Sequence, residues 1–238
     1  MSATIEIPVP DNGRGGSAEA YVAGPDDRSA PGVLFYMDAY GLRPQIERML
    51  ERIAGWGYTV VAPNVFHRDG TVAELVEERE HVFDRVRGLT PDQLLADTPA
   101  YLAALRQRCA DGAVGTTGYC MGARLAVRTA NAHPEDIAAV GGFHGARLAT
   151  DDDDSPHLGL SDARAEFAFG HADNDTSMPP EAVGRLGEAL SAAGLLFIND
   201  VYAGAAHGYT MNDTPAYHEE AAERHYRVLE ELFARTLR

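Results

Sequence analysis

The sequence predicts an α/β protein with a mostly parallel central sheet and helices on both faces. Short apolar runs, typical of buried strands, alternate along the chain with segments whose apolar residues recur at helical spacing. Such alternation favours parallel strands joined by helical crossovers. Because no linker or internal repeat divides the chain, we expect residues 1–238 to form one domain.

The strands are predicted from short runs of apolar or alternating residues. Residues 3–9 and 18–23 alternate on either side of Asp11, Asn12 and Gly13, which favours a hairpin. Apolar runs predict further strands at 32–37, 58–62, 113–117, 138–143, 165–170 and 196–201.

The helices are predicted from apolar residues on one face and from signals at their N-termini. Pro44 begins a predicted helix over 44–54, and helical spacing continues over 72–87. The Thr-Pro pairs at 90–91 and 98–99 have the pattern of an N-cap followed by proline, so helices are expected to begin near 91 and near 99. Further helices are expected at 121–132, 180–193 and 215–236, with Thr214 capping the last.

The composition limits the partners. The formal net charge is -16, and every basic residue other than histidine is arginine, so an acidic surface is expected to repel nucleic acids and anionic membranes. The sequence has neither a signal-peptide start nor an apolar run of about 20 residues, so we expect a cytoplasmic protein. Cys109 and Cys120 are too few for a disulfide framework or a thiolate metal site, and we expect Cys109 to be a buried structural residue.

The segment Gly118-Tyr119-Cys120-Met121-Gly122 has the spacing G-x-C-x-G between a predicted strand and a predicted helix. This is the context of the nucleophile elbow of α/β-hydrolases, with sulfur in place of oxygen. The elbow holds the nucleophile on a strained turn, where flanking glycines avoid collisions between strand and helix. The helix N-terminus favours a thiolate, and the Met121 N–H is directed at a developing oxyanion. We therefore predict that Cys120 is the nucleophile.

The order of polar residues beyond Cys120 matches the same fold, in which an acid follows a late strand and a histidine follows the last strand. Asp173 and Asp175 follow the predicted strand 165–170, and His207 follows the strand 196–201 in an apolar, glycine-flanked loop. We predict that His207 is the base. Six other histidines lie in helical or polar stretches and are expected at the surface: His67, His81, His133, His157, His218 and His225.

These residues together resemble the dienelactone hydrolase family over about 200 residues, nearly the whole chain. The matching segments are Asp38-Ala39-Tyr40-Gly41, the G-Y-C-M-G elbow, Gly170-x-x-Asp173 with Pro179-Pro180-Glu181, and Ala206-His207-Gly208-Tyr209. The elbow with cysteine is the most specific of them.

The resemblance implies a triad of Cys120, His207 and Asp173, in which Asp173 orients the imidazole. Asp175 is the alternative acid, since it keeps the family's spacing to the following proline. We choose Asp173 because its distance from the end of the strand fixes its position.

The resemblance also assigns residues after the third strand. Asp38, where the best-known members carry glutamate, is implied to touch the resting thiol, and the Ala39 N–H is implied to be the second oxyanion donor. The family holds a substrate carboxylate with arginines, one of them four residues after the histidine. Met211 occupies that position here, and Arg68 or Arg79 could supply the other arginine.

The predicted reaction is the opening of an ester or lactone through a thioester on Cys120, with no metal or organic cofactor. A less anionic ester or lactone is as good a candidate as dienelactone. Tyr36, Tyr40, Phe143 and His144 follow predicted strand ends and are candidates to line the pocket, with ordinary core packing as an equal alternative for Tyr36 and Phe143. Two alternatives stay open: a carboxylesterase or thioesterase of broad range, and a non-catalytic binding protein on the same scaffold. The chain is expected to be a monomer or a homodimer.

Overall fold

The computed structural model describes residues 2–10, 13 and 16–238, apart from the side chain of Arg79. Two compact units are present, Met1–Gly112 and Ala113–Arg238. Asp11 and Asn12, at the predicted hairpin turn, lie outside the described residues. The expectation of a single domain stays a prediction.

The strands of the first unit are Ala3–Pro8 (β1), Ser17–Ala23 (β2), Gly32–Tyr36 (β3) and Thr59–Pro63 (β4). They form a sheet in the order β1-β2-β4-β3. β1 pairs with β2 and β2 with β4 in antiparallel fashion, while β3 and β4 are parallel. The antiparallel pairing predicted for the first two strands is therefore confirmed.

The helices of the first unit are Pro44–Ala54 (α1), Val72–Glu77 (α2), Val82–Gly88 (α3) and Pro91–Arg106 (α4). The continuous helix predicted over 72–87 is wrong. Helix α2 ends at Glu77, because the ψ of 47° at its C-cap Glu78 leaves the helical region, and a 3-10 turn over Arg79–His81 precedes α3.

Helix α4 shows that one of two predicted helix starts is wrong. Thr90 caps the helix as predicted, in a reciprocal hydrogen-bonding arrangement with Gln93. The second Thr-Pro pair lies inside the same helix, and the Thr98 hydroxyl donates to the Leu94 carbonyl at 2.7 Å. A proline removes a single backbone donor, so the helical hydrogen bonds on either side of Pro99 continue the element.

The strands of the second unit are Val114–Tyr119 (β5), Ile137–Phe143 (β6), Glu166–Ala172 (β7) and Phe197–Tyr202 (β8). They are parallel and lie in the order β5-β6-β7-β8. The helices are Met121–Ala132 (α5), Pro180–Ala192 (α6) and Glu219–Thr236 (α7), with a 3-10 helix over Pro156–Asp162.

Two adjacent glycines of β6 show that helices cover both faces of this sheet. A Cβ on Gly141 would meet Leu229 of α7, whereas a Cβ on Gly142 would face Ala123 of α5. Successive strand residues point to opposite faces, so α5 and α7 lie on opposite sides. The predicted α/β class, with mostly parallel strands and helices on both faces, is confirmed.

The last helix begins later than predicted. The Thr214 hydroxyl donates to the Met211 carbonyl, within the preceding turn, and does not cap the helix. The N-cap is His218, whose imidazole accepts the Ala221 N–H. No helix among the described residues is both long and apolar enough to span a membrane.

Candidate active site

Cys120 lies on a sharp turn between β5 and α5. Its φ of 56° is in the left-handed region, which residues other than glycine rarely adopt. A Cβ on Gly118 would lie 2.0 Å from the Gly122 carbonyl oxygen, so the two backbones approach too closely for a side chain at 118. The motif is therefore the strained strand-turn-helix bend that its spacing predicts.

Hydrogen bonds with the last residue of β6 and with the loop after it hold the backbone of Cys120. Its N–H donates to the Phe143 carbonyl at 3.1 Å, and its own carbonyl accepts the Ala146 N–H at 3.2 Å. Met121 is the first residue of α5, where a backbone N–H has no partner within the helix. The thiol thus lies at the positive end of a helix with a backbone donor beside it.

His207 is hydrogen-bonded to Asp175. Its Nδ1 lies 2.6 Å from Asp175 Oδ2, and the other carboxylate oxygen accepts the Ser177 hydroxyl at 2.7 Å and the Ser177 N–H at 2.8 Å. Asp175 is buried, and about a third of the His207 side chain is exposed. The structure thus brings together Cys120, His207 and Asp175.

The choice of Asp173 as the partner of His207 is corrected by this geometry. The Asp173 carboxylate accepts the Gly204 N–H at 2.9 Å, and the Asp173 N–H donates to the Ala205 carbonyl at 2.7 Å. Both bonds attach Asp173 to the backbone of the loop that carries His207. The Asp173 side chain thus stabilises the loop and is not the hydrogen-bond partner of His207 Nδ1.

A longer strand explains the difference. β7 continues to Ala172, two residues past the predicted end, because His171 and Ala172 pair with Val201 and Tyr202 of β8. Asp173 therefore begins the turn. Asn174 adopts a φ of 53°, and Asp175 follows this left-handed residue.

The contacts of His207 and Asp175 favour their charged forms. Burial lowers the pKa of His207, but hydrogen bonds with Asp175 and with the Cys120 sulfur outweigh it and raise the pKa to about 10. Burial raises the pKa of Asp175, yet the hydrogen bonds from His207 and Ser177 hold it below its ordinary value. His207 is therefore protonated, and Asp175 ionised, near neutral pH.

His144 lies beside His207 and is itself 1% exposed. Its ring centroid is 5.2 Å from that of His207, with the planes at 69°. Its Nε2 lies 2.7 Å from the Thr210 hydroxyl. Burial and the nearby His207 and His225 keep the pKa of His144 well below its ordinary value, so the ring is neutral.

The residues predicted from the third strand belong to the first unit. Asp38 is buried, and its carboxylate oxygens lie 2.6 Å and 3.0 Å from the two terminal nitrogens of Arg43. Ala39 is buried, and Tyr40 is 42% exposed with the Arg43 guanidinium 5.5 Å from its ring centroid. The roles assigned to Asp38 and Ala39 stay predictions.

Of the two arginines proposed to bind a substrate carboxylate, Arg68 and Arg79, only the side chain of Arg68 is described. The Arg68 guanidinium is paired with the buried carboxylate of Asp97, with Nη2 2.9 Å from Oδ1. Met211 is buried. The side chain of Arg79 lies outside the described residues.

Sequence reasoning missed Ser177 and Thr210. Ser177 lies two residues after Asp175, and this Asp-x-Ser spacing is a signal for a side-chain turn. Thr210 had no comparable signal, because its bond to His144 joins positions 66 residues apart. His67 and His225, expected at the surface, are buried: His67 pairs with Asp97 at 2.9 Å, and His225 lies 3.2 Å from the Tyr119 hydroxyl.

Comparison with protein-family models gives a match that spans most of the chain. The model described as the dienelactone hydrolase family covers residues 18–237. This chain belongs to the dienelactone hydrolase family. The resemblance inferred from the motifs is thereby confirmed.

Curated relatives of this dienelactone hydrolase family member extend over most of its length. The "Putative carboxymethylenebutenolidase" of Salmonella typhi is 28% identical over 228 residues, which is 93% of this chain and 84% of the relative. The "Carboxymethylenebutenolidase" of Rhodococcus opacus is 26% identical over 211 residues, covering 85% and 79% of the two chains.

Solved structures show the fold. The "Putative Dienelactone Hydrolase" of Klebsiella pneumoniae has a TM-score of 0.84 at 24% identity, with 98% of this chain and 99% of that chain covered. The acylaminoacyl peptidase of Pyrococcus horikoshii has a TM-score of 0.71 at 16% identity, covering 99% of this chain and 41% of the other. The α/β-hydrolase fold predicted from the sequence is confirmed.

Proposed function

We propose that the protein hydrolyses carboxylic esters or lactones, with Cys120 as nucleophile, His207 as acid and base, and Asp175 as the carboxylate that orients His207. The observation that carries the proposal is the convergence of three side chains. They are a thiol on a strained turn, an imidazole hydrogen-bonded to it, and a buried carboxylate hydrogen-bonded to Nδ1 of that imidazole. This arrangement has the roles of a catalytic triad.

The first half of the reaction forms a thioester. With His207 protonated, Cys120 attacks the carbonyl carbon as a thiolate. The Met121 N–H stabilises the tetrahedral oxyanion, and losing one such donor typically costs about 10²–10³ in kcat. His207 then donates its proton to the departing alkoxide as the C–O bond breaks.

The second half releases the acid. His207, now neutral, accepts a proton from a water molecule whose oxygen attacks the thioester carbonyl. Collapse of this intermediate breaks the C–S bond, which restores the thiolate beside the imidazolium. Asp175 stabilises the imidazolium in both halves and keeps Nδ1 as a donor.

Lactones are the substrate class favoured by the names of the relatives. Relatives from Salmonella typhi and Rhodococcus opacus carry the name carboxymethylenebutenolidase, which describes a lactone substrate. Met211 replaces the arginine that the family places after the histidine, so we propose a less anionic ester or lactone alongside dienelactone itself. A broad carboxylesterase or thioesterase differs only in range, and a panel of lactones and acyl esters separates the two.

The decisive experiment is Cys120→Ala assayed on a p-nitrophenyl ester and on a lactone panel. We expect hydrolysis to be lost while the circular dichroism spectrum and melting temperature stay close to those of the wild type. Cys109→Ala is the matched control, because the buried Cys109 has no part in the mechanism. Undiminished hydrolysis by Cys120→Ala contradicts the proposal.

Alkylation separates an enzyme from a non-catalytic binding protein. An ordinary thiol, with a pKa near 8.5, is only about 1% thiolate at pH 6.5. We expect iodoacetamide to label Cys120 rapidly at that pH, and His207→Gln to slow the labelling by about tenfold or more, because the thiolate loses its cationic partner. Equal and slow labelling of Cys109 and Cys120 in the wild type supports the binding protein.

A further inference from the structure

One buried imidazole beside the proposed triad has no part in the mechanism above. His144 follows β6 directly, and its φ of 37° is in the left-handed region. A residue other than glycine in this region is held there by its surroundings, and such strain is concentrated at functional sites. The His144 N–H donates to the Gly170 carbonyl at 2.8 Å, which fixes the backbone against β7.

The His144 side chain contacts the segment that carries His207 at three places. Its Nε2 lies 2.7 Å from the Thr210 hydroxyl, and its ring meets those of His207 and Tyr209 edge to face, with centroids 5.2 Å and 5.1 Å away. Tyr209 is itself anchored, since its hydroxyl donates to the Gly170 carbonyl at 2.9 Å. His144 thus packs against His207 from a fixed support.

The same short loop holds the nucleophile. Phe143 and Ala146, on either side of His144, are the residues that hydrogen-bond to the backbone of Cys120. A displacement of His144 would therefore be transmitted to both Cys120 and His207. Residues 143–146 therefore contact both Cys120 and His207, the two partners of the proposed proton transfer.

We propose that His144 is a positioning residue that holds the His207 ring toward Cys120, and that the Thr210 hydroxyl holds the His144 ring in place. This inference rests on the proposed function. Of the groups that face His207, Asp175 is anionic, while His144 is neutral and buried. A neutral ring supports the imidazolium without charge repulsion and keeps water from one side of it.

Substitution of Thr210 tests the anchor with a matched pair. Thr210→Val keeps the shape of the side chain and removes the hydroxyl, whereas Thr210→Ser keeps the hydroxyl. We expect Thr210→Val to lower kcat about tenfold with KM unchanged, which is less than the roughly 10²-fold cost of a 1 Å misplacement. Thr210→Ser should retain most of the wild-type kcat.

A second measurement is independent of turnover. The ultraviolet absorbance of the thiolate is titrated in each protein, and the same protein carrying Cys120→Ala is subtracted so that Cys109 cancels. We expect the Cys120 midpoint in Thr210→Val to rise by roughly half a pH unit, because weaker contact with His207 favours the thiolate less. A residue that only fills space would not move this midpoint.

His144→Gln removes the ring and answers the same question if Thr210→Val does not fold. It should lower kcat and raise the thiolate midpoint in the same directions. Wild-type kcat and midpoint in either folded variant overturn the inference, as does an equal loss in Thr210→Ser and Thr210→Val. Failure of the proposed function has a different signature, namely hydrolysis that survives Cys120→Ala.

Discussion

Nδ1 of His207 lies 2.6 Å from Oδ2 of Asp175, and Ser177 supplies two donors to Oδ1 of the same carboxylate. Both oxygens of the buried carboxylate are therefore hydrogen-bonded, which holds it against the imidazole. Because Nδ1 is occupied, Nε2 is the ring nitrogen left for Cys120. The tautomer and the orientation of His207 follow from this contact.

Asp175→Asn should reduce kcat by about 10²–10⁴, because an amide can donate to Nδ1 and so favour the wrong tautomer. Asp173→Asn is the matched control two residues away. Its amide oxygen can still accept the Gly204 N–H, so kcat should stay within about threefold of the wild type. Steady-state kinetics of the two variants on one ester decide the assignment, and a larger loss in Asp173→Asn would reverse it.

The stability of the protein should depend on His207 in a pH window set by its pKa. Folding raises this pKa from about 6.5 to about 10, so the stabilisation is complete below about pH 6.5 and lost as the pH rises through about 10. The difference in unfolding free energy between the wild type and His207→Gln should therefore shrink steadily across this window. Urea unfolding at a series of pH values measures it, and a constant difference contradicts the shift.

Gly118→Ala should destabilise the protein by about 3 kcal/mol or more, because the new methyl group would meet the backbone of Gly122 at 2.0 Å. Gly184→Ala is the matched control on the exposed face of α6, where a Cβ meets nothing within 4 Å. There the same change should stabilise by about 0.5–1 kcal/mol through helix propensity. Denaturant unfolding of both variants tests the opposite signs, and a stable Gly118→Ala would show that the elbow tolerates a side chain.

Local sequence patterns predicted the strands and the elbow well. The runs Gly32–Tyr36 and Ile137–Phe143 are apolar enough to be recognised alone, because nearly all of their residues are buried. Cys120 and His207 could be proposed from local pattern because an elbow and a loop histidine occupy fixed places along the chain. Each of these features depends on a short segment.

The carboxylate that is hydrogen-bonded to His207 could not be identified in that way. Asp173 and Asp175 are two residues apart, and the choice between them depends on where β7 stops. That end is set by pairing with β8, some 30 residues away along the chain. The end of a strand that is set by pairing with a distant strand cannot be predicted from the local sequence pattern.

The burial of His225 could have been predicted from helical periodicity, whereas the burial of His67 could not. His225 is four residues after Ala221 and four before Leu229, both of which are buried on α7. Helical periodicity therefore assigns it to the apolar face. The pairing of His67 with Asp97 spans 30 positions and had no comparable local signal.

The bend at residue 120 depends on the backbone conformation and on the glycine beside it, Gly118. Neither depends on whether the side chain of residue 120 ends in sulfur or in oxygen. A thiol and an alcohol would leave the same Cβ in the same direction. Exchanging one nucleophile for the other thus requires no new scaffold, only an imidazole whose basicity suits the new proton donor.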